Sequence, residues 1–261
     1  DEAEQLRSRC QGSEAIVTAV KETEKKVKAP KLYDLTTLQR EANRIYGITA
    51  KQTLDTAQSL YEKKLITYPR TDSQYLTEDM EQTARNVVRQ IYEKYQLTGP
   101  FDQPEQPDVK KVMNNSKVTD HHAIIPTMEL ASCHLGELKS WEEKILFLIA
   151  VHTVMAMSKD HIYQETEIEV ECQEEIFKAK GKIVLQDGWK LFENCFKNKD
   201  RMAIVDPDQE MKERMTKVTQ GQTFYAVAAE KTEHFTSPPK PYSEDTLLAA
   251  METAGNKEFD E

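Results

Sequence analysis

The sequence has little glycine and no glycine-rich phosphate-binding loop. Only 8 of its 261 residues are glycine and 10 are proline, and neither GxxxxGK[ST] nor GxGxxG occurs in the chain. Chemistry driven by ATP or by a dinucleotide cofactor therefore has no recognisable site here. The low content of glycine and proline also argues against collagen-like and low-complexity chains.

Long hydrophobic runs are missing as well. The longest uninterrupted apolar stretch is residues 145–151, whereas a membrane-spanning helix needs about 20 residues. The first ten residues are acidic and polar and do not form a secretory signal. The four cysteines are widely separated and include no CxxC pair. This pattern predicts reduced thiols, a cytoplasmic location and no metal site in this chain.

Acidic residues outnumber basic ones, 45 against 35, and the formal net charge is −10. This argues against an overall basic nucleic-acid-binding surface, but the charges are unevenly distributed. Glu165, Glu167, Glu169 and Glu171 alternate with apolar or small residues, which predicts a strand with one buried and one acidic, solvated face. By contrast, residues 34–73 contain six basic and five acidic side chains, so their charge is compatible with binding of a polyanion.

Strand-like sequences lie near both ends of the chain, and helical sequences lie between them. β-Branched residues predict strands over residues 15–20, 182–185, 202–205 and 223–228. Apolar spacing predicts helices over residues 36–47, 49–64, 78–94, 140–157 and 242–255. Candidate capping boxes pair Thr36 with Gln39 and Ser140 with Glu143.

This order predicts an α+β protein in which a helical domain interrupts a discontinuous, antiparallel β-rich domain. The expected limits are residues 1–32 and 158–240 for the β-rich domain, 33–157 for the helical domain, and 241–261 for the start of a further helical domain. The first two helices, joined through Gly47, have the outline of a helix-turn-helix, as in winged-helix proteins.

The most informative segment is LITYPRTDS, residues 65–73. Pro69 disfavours a helical conformation at Tyr68, so that Tyr68 and Arg70 can share one face of an extended segment. A guanidinium beside a phenol favours the phenolate and offers a fork to a phosphate oxygen. The pair suits phosphoryl transfer to Tyr68, although an isolated Tyr-x-Arg is more often a half-buried aromatic beside a surface charge.

Three blocks of sequence together resemble the type IA DNA topoisomerases, and specifically their topoisomerase III branch. The first is LITYPRTDS with the preceding LTTLQREAN and KQTLDTAQSLYEKK. The second, DHHAIIPT at residues 120–127, is similar to the pattern HxAIxPT, and the third, within residues 238–255, is similar to PPxxY[ST]ExxL. The resemblance implies an enzyme that transiently cleaves single-stranded DNA through a 5′-phosphotyrosyl bond, passes a strand and religates without ATP.

The resemblance also implies roles for individual residues. Tyr68 matches the nucleophile, Arg70 the arginine that positions the tyrosine and the phosphate, and His121 the histidine associated with DNA contact and proton transfer. Further DNA contacts are expected at Thr37, Gln39, Thr71, Asp72, Ser73, His122 and Thr127. Helix capping explains Thr37 and Gln39 equally well, and a single loop hydrogen bond is the alternative for His121.

The resemblance further implies an acidic, metal-binding Toprim domain that holds Mg²⁺ and has no match in residues 1–33. The chain is therefore expected to be an internal piece of the enzyme that binds no Mg²⁺ and cleaves no DNA by itself. Its expected partners are single-stranded DNA and the remaining domains of the same polypeptide. It is expected to act as a nucleoid-associated monomer, away from membranes.

Two other interpretations stay open. A non-enzymatic winged-helix or helix-turn-helix module that binds DNA explains the paired helices, but not the blocks at residues 65–73 and 120–127 together. A tyrosine recombinase also uses a tyrosine nucleophile, but its scattered arginines have no matching motif in this sequence. Replacing Tyr68 by Phe separates an enzyme from a binding module, because only the enzyme needs the hydroxyl.

Overall fold

The computed structural model describes residues 1–97, 107–197 and 218–254. Within them the helices are α1 (Glu2–Cys10), α2 (Leu35–Tyr46), α3 (Ala50–Glu62), α4 (Glu81–Tyr95), α5 (Ser140–Ala156), α6 (Lys190–Lys197) and α7 (Glu244–Thr253). The strands are β1 (Ala15–Val27), β2 (His161–Cys172), β3 (Glu175–Gln186) and β4 (Thr223–Phe224). This mixture of helices and antiparallel strands confirms the predicted α+β class. None of the described helices could cross a membrane.

The chain forms two compact units, each built from separate stretches of sequence. Among the described residues, the sheet unit contains 1–27, 161–187 and 218–239, and the helical unit contains 28–97, 107–160, 188–197 and 240–254. Two helices depart from the expected limits. Helix α6 packs on α5 and buries Phe192 in the helical core, and α7 packs on α2, where Asp245 binds Arg40. Their own sequences do not indicate these distant partners.

The sheet unit contains a four-stranded antiparallel sheet in the order β3-β2-β1-β4. Gln173 and Glu174 connect β2 to β3 with φ of 53° and 66°, and paired positive φ values are what a two-residue type I′ turn requires. Because neither residue is Asn or Gly, the sequence carries no turn signal here. Strand β3 begins directly after this turn and covers Glu175–Gln186, which is much longer than the predicted strand over residues 182–185.

Strand β2 has the predicted alternation, since Thr166, Ile168 and Cys172 are buried. The opposite face of β2 carries the glutamates, as predicted, but the neighbouring strand β3 places positive charges across from three of them. The register places Lys182 opposite Glu165, Lys180 opposite Glu167 and Lys178 opposite Glu169. The sequence of one strand gives the charges of that strand, but it does not show which charged side chains of the neighbouring strand lie opposite them.

The ends of the sheet unit differ from expectation in three ways. Strand β1 continues to Val27, beyond the predicted residue 20, whereas β4 covers only Thr223–Phe224 of the predicted 223–228. The strand predicted over residues 202–205 lies outside the described residues. Helix α1 was not predicted; Asp1 caps it, and its acidic first turn and basic last turn complement the helix dipole.

Helix α5 is the centre of the helical unit and contacts α2, α3, α4 and α6. It is buried around most of its circumference, as its continuous apolar sequence predicts. Both capping assignments made above need correction by one or two residues. Asp34, not Thr36, caps α2 and pairs with Thr37, and Lys139 precedes α5, where its amide donates to the carboxylate of Glu142. Helix α3 begins with a capping box formed by Thr49 and Gln52.

Candidate functional site

The two central motif segments, residues 65–73 and 121–127, lie side by side as an antiparallel pair. The amide of Thr67 donates to the carbonyl of Ile125, and the amide of Thr127 donates to the carbonyl of Leu65, both at 3.0 Å. The Thr67 hydroxyl also donates to the Ala123 carbonyl at 2.9 Å and accepts from the Ile125 amide at 3.0 Å. Segments about fifty residues apart in sequence thus form one rigid framework.

Tyr68 follows this framework directly and is half-buried between two aromatic side chains. Its ring centroid lies 4.3 Å from that of His121 and 5.4 Å from that of Tyr61, which meets it edge-on. Pro69, the next residue, is buried and restricts the backbone. The Tyr68 hydroxyl makes no hydrogen bond within the described part of the chain. The phenol is therefore held in place while its oxygen stays available.

Arg70 is exposed. Its guanidinium forms no ion pair or hydrogen bond with any residue that the structure describes. Asp72, two residues further on, is also exposed and makes no such bond within the same residues. A guanidinium without a carboxylate partner keeps its full capacity for a bidentate contact with a phosphate.

Thr71 and Ser73 flank the exposed Asp72 in sequence and are themselves buried. Their hydroxyl groups form hydrogen bonds with backbone groups. The Thr71 hydroxyl donates to the His121 carbonyl at 3.0 Å and accepts from the Ser73 amide at 3.1 Å. The Ser73 hydroxyl donates to the Lys117 carbonyl at 2.8 Å. These bonds hold the segment that carries His121 against the segment that carries Tyr68.

The other residues singled out from the sequence have partners within the fold. The Thr37 hydroxyl donates to the Asp34 carboxylate at 2.6 Å, and the Gln39 amide donates to the Ala50 carbonyl at 3.0 Å, joining α2 to α3. The Thr127 hydroxyl donates to the Lys64 carbonyl. His122 Nδ1 lies 2.9 Å from the Ala123 carbonyl oxygen. Their contact with DNA stays a prediction.

Tyr61 is the residue at this site that sequence reasoning missed. It lies near the end of α3, where its side chain is 39% exposed and packs on Tyr68. The chain reverses after α3 at Lys64, whose φ is 60°, and this brings the end of the helix back beside the motif. No pattern in the sequence signals that turn, because left-handed backbone is uncommon at lysine.

The site does not contain the donors of a metal centre. The residues that the structure describes include no group of three or more His, Cys, Asp or Glu side chains that could hold a metal ion. Mg²⁺ is bound by carboxylates, substrate phosphates and water, and a lone exposed Asp72 does not fit that requirement. No chemical step at Tyr68 is therefore assigned to a metal held by these residues.

The fold and the motif framework define a DNA topoisomerase of type IA. A family model described as DNA topoisomerase matches residues 1–255, and the chain belongs to this family. Full-length topoisomerase I from Thermotoga maritima has a similar structure, with a TM-score of 0.67 and 26% identity over 97% of this chain and 40% of that one.

Among its relatives are DNA topoisomerases 3, which confirms the resemblance to that branch. The chain is 38% identical to DNA topoisomerase 3 of Bacillus licheniformis, over 95% of this chain and 33% of that protein. It is 37% identical to DNA topoisomerase 3 of Bacillus subtilis, over 97% of this chain and 34% of that protein. The chain thus spans about a third of the length of these curated relatives.

Proposed function

We propose that this chain carries the nucleophile of a type IA DNA topoisomerase. The phenol oxygen of Tyr68 attacks a phosphodiester of single-stranded DNA and loses its proton as the new phosphorus–oxygen bond forms. The bond to the 3′ oxygen breaks, and that oxygen takes up a proton. The observation that carries the proposal is a Tyr68 hydroxyl without an internal partner, held against His121 at the junction of two family motifs.

Arg70 and His121 are proposed to assist this transfer. The unpaired guanidinium of Arg70 binds the scissile phosphate and offsets the charge that grows during attack. The imidazole of His121, in ring contact with Tyr68, can be neutral or cationic near neutral pH and so can accept or return a proton. Religation uses the same groups in reverse, so bond energy is conserved and no nucleotide is consumed.

DNA contact is proposed to continue around the tyrosine. Asp72, His122 and Thr127 lie on the two motif segments, and Thr37 and Gln39 lie in the first half of α2. Thr71 and Ser73 are proposed to support DNA contact indirectly, because their hydroxyl groups donate to the backbone carbonyls of His121 and Lys117. The sheet unit is proposed to be the gate domain of such an enzyme, and the helical unit its tyrosine-bearing domain.

The metal and the partners are proposed from the family. Because the described residues lack a suitable donor set, Mg²⁺ is proposed to be held by a Toprim domain elsewhere in a longer polypeptide. The chain alone is then inactive in cleavage. The proposed partners are single-stranded DNA and the remaining domains, and the protein is proposed to act as a monomer near the nucleoid.

Covalent capture of labelled DNA tests this function. The longer polypeptide is incubated with Mg²⁺ and single-stranded DNA labelled at its 3′ end, because a 5′-phosphotyrosyl bond keeps that end on the protein. We expect Tyr68→Phe to abolish the labelled adduct while leaving DNA affinity unchanged. Tyr225→Phe, at a 75% exposed tyrosine, serves as the matched control and should form the adduct normally.

The alternatives give different outcomes in the same experiment. A binding module forms no adduct in any variant. A recombinase-type reaction retains a 5′ label instead of a 3′ label. An adduct that persists in Tyr68→Phe, or that the 261-residue chain forms without the rest of the polypeptide, would contradict the proposal.

A further inference from the structure

A groove in the helical unit carries lysines that the Tyr68 site does not use. Two adjoining cavities, of about 390 and 280 Å³, share Pro30, Lys31 and Gln74 in their walls. Lys28 and Tyr75 also line the second cavity. We refer to Lys28, Lys31, Gln74 and Tyr75, together with Lys117 beside them, as the Tyr75 groove.

Two of these lysines meet at one aromatic ring. The Nζ of Lys31 lies 5.6 Å from the ring centroid of Tyr75, and the Nζ of Lys117 lies 5.1 Å from it. Both distances are within the range of a cation–π contact. The ring thus contacts two ammonium groups of like charge, and both attract an anion that approaches this surface.

The lysines of the groove lack an ion-pair partner in the described part of the chain. The carboxylates in the cavity walls are already paired, Glu41 and Asp245 with arginines and Asp160 with Lys111. The side chains of Lys28, Lys31 and Lys117 are exposed and form no ion pair with any described residue. The nearby arginines differ, because Arg40 binds Asp245 and Arg44 binds Glu41. These lysines can therefore bind an external anion without breaking an ion pair within the described part of the chain.

The backbone beneath these side chains is fixed. The Lys31 carbonyl accepts from Nε2 of His152, and the Lys117 carbonyl accepts from the Ser73 hydroxyl, both at 2.8 Å. The Tyr75 amide donates to the Ser73 hydroxyl at 3.2 Å, and its carbonyl accepts from the Ala123 amide at 2.9 Å. Little ordering of the backbone would then be needed on binding, which favours affinity.

We propose that the Tyr75 groove is a second contact site for single-stranded DNA, in which Lys31 and Lys117 contact the phosphate backbone and Tyr75 positions their ammonium groups. The proposal rests on the proposed function, which supplies the DNA strand. Lysine binds phosphate as a point charge, so the contact carries no base specificity. Ser73 bonds both Thr71 at the Tyr68 site and the Lys117 backbone, so one motif supports both contacts.

Equilibrium binding of a fluorescein-labelled oligothymidylate to the 261-residue chain tests the proposal. The oligonucleotide has about 20 nucleotides, which is longer than a typical single-strand site. We expect Lys31→Ala and Lys117→Ala each to weaken binding several-fold and to reduce the slope of log affinity against log salt by about 0.7. Lys144→Ala is the matched control, because its Nζ also contacts an aromatic ring, 4.3 Å from the centroid of Trp141, but lies outside the groove.

Tyr75 provides an independent arm. Tyr75→Phe keeps the ring and is expected to bind as the unaltered chain does, whereas Tyr75→Leu removes the cation–π contacts and should weaken binding as the single lysine variants do. Thermal unfolding followed by circular dichroism checks the fold of each variant. If Tyr75→Leu does not fold, Lys31→Glu and Lys117→Glu replace it, and both should weaken binding more than the alanine variants.

Arg70→Ala separates this proposal from the proposed function. If Arg70→Ala weakens binding while the groove variants match Lys144→Ala, the groove is overturned and the proposed function stands. If the groove variants weaken binding and Arg70→Ala does not, the groove stands and DNA contact beside Tyr68 fails. If the unaltered chain binds no oligothymidylate at low salt, the groove is overturned, and covalent capture by the longer polypeptide decides the proposed function.

Discussion

The two units of the chain are stabilised by different forces. The helical unit surrounds α5 with a large set of fully buried apolar side chains. In the described residues of the sheet unit, a second buried cluster contains only Cys10, Ala15 and Cys172, and the sheet instead pairs lysines with glutamates across its strands. Burial of apolar surface involves no charges that salt can screen, whereas exposed ion pairs are screened. The motif framework belongs to the unit with the large core, as a site that needs fixed geometry requires.

The largest expected difference between the units comes from deleting a buried side chain in each. Ile149→Ala removes a fully buried residue of α5 and should lower the unfolding free energy of the helical unit by about 4 kcal/mol, because a cavity forms in a tightly packed core. Ile168→Ala, in the sheet, should lower that of its unit by about 2 kcal/mol, since its surroundings can relax more.

Native-state hydrogen exchange measures each unit separately, which matters because a chain with two units need not unfold in one step. Ile176→Ala, at a side chain that is 58% exposed, is the control and should change stability by less than about 0.5 kcal/mol. An equal loss in Ile149→Ala and Ile168→Ala would show that the contrast in core size carries no energetic meaning.

A buried carboxylate gives the helical unit a specific dependence on pH. Glu142 is 3% exposed and accepts hydrogen bonds from Lys63 at 2.6 Å, Ser59 at 2.7 Å and the Lys139 amide at 2.9 Å. Burial acts to raise the pKa of Glu142, but these bonds together outweigh it and lower the pKa to about 2. The carboxylate joins α5 to the end of α3, close in sequence to Tyr61.

The unfolding free energy of the helical unit should therefore fall by about 3 kcal/mol between pH 4.5 and pH 2. The unfolded chain takes up the proton first on acidification, because its pKa is the higher one, so the stabilisation is complete above that pKa and lost towards pH 2. Glu142→Gln should flatten this part of the profile in urea unfolding. Glu143→Gln, at the neighbouring position, should keep it, and an unchanged profile in Glu142→Gln would exclude Glu142 as its source.

The sequence predicted the helices of the helical unit well. Helices α2 to α5 and α7 lie within a few residues of expectation, because each has a long apolar period and most have a recognisable cap. Cap positions were off by one or two residues, since Asp34 caps α2 two residues before Thr36 and Lys139 precedes α5 one residue before the predicted cap. The motifs identified the family from residues alone.

What the sequence could not predict depends on partners far away in the chain. The hairpin at Gln173–Glu174 has positive φ values without Asn or Gly. The lysines of β3 that lie opposite the glutamates of β2 are placed there by the strand register, which the sequence of β2 does not reveal. The contact of Tyr61 with Tyr68, and the bond of Thr71 to His121, likewise follow from tertiary packing. Local patterns encode neither long-range pairing nor the identity of the facing side chain.

The smallest expected effect is in the charge pairs of the sheet. A hydrogen bond from Lys180 is the main cause that lowers the pKa of Glu167, and both side chains are exposed. Lys180→Ala should raise the pKa of Glu167 towards its ordinary value, measured by NMR titration of the carboxyl carbon. Because the bonded carboxylate has the lower pKa in the folded state, its contribution to stability is present at neutral pH and lost on acidification.

Two further measurements test whether the pKa of Glu167 depends on Lys180 in particular: a titration at high salt and a variant of the neighbouring Lys178. In about 1 M salt, where the screening length is about 3 Å, the pKa of Glu167 in the unaltered chain should approach that in Lys180→Ala. Lys178→Ala is the control, because Lys178 binds Glu169 at 2.8 Å and its loss leaves the bond to Glu167 intact. A pKa of Glu167 that responds neither to Lys180→Ala nor to salt would mean that the facing charges do not interact. The sheet unit would then be stabilised by its backbone hydrogen bonds and its small buried cluster, without a contribution from this charge pair.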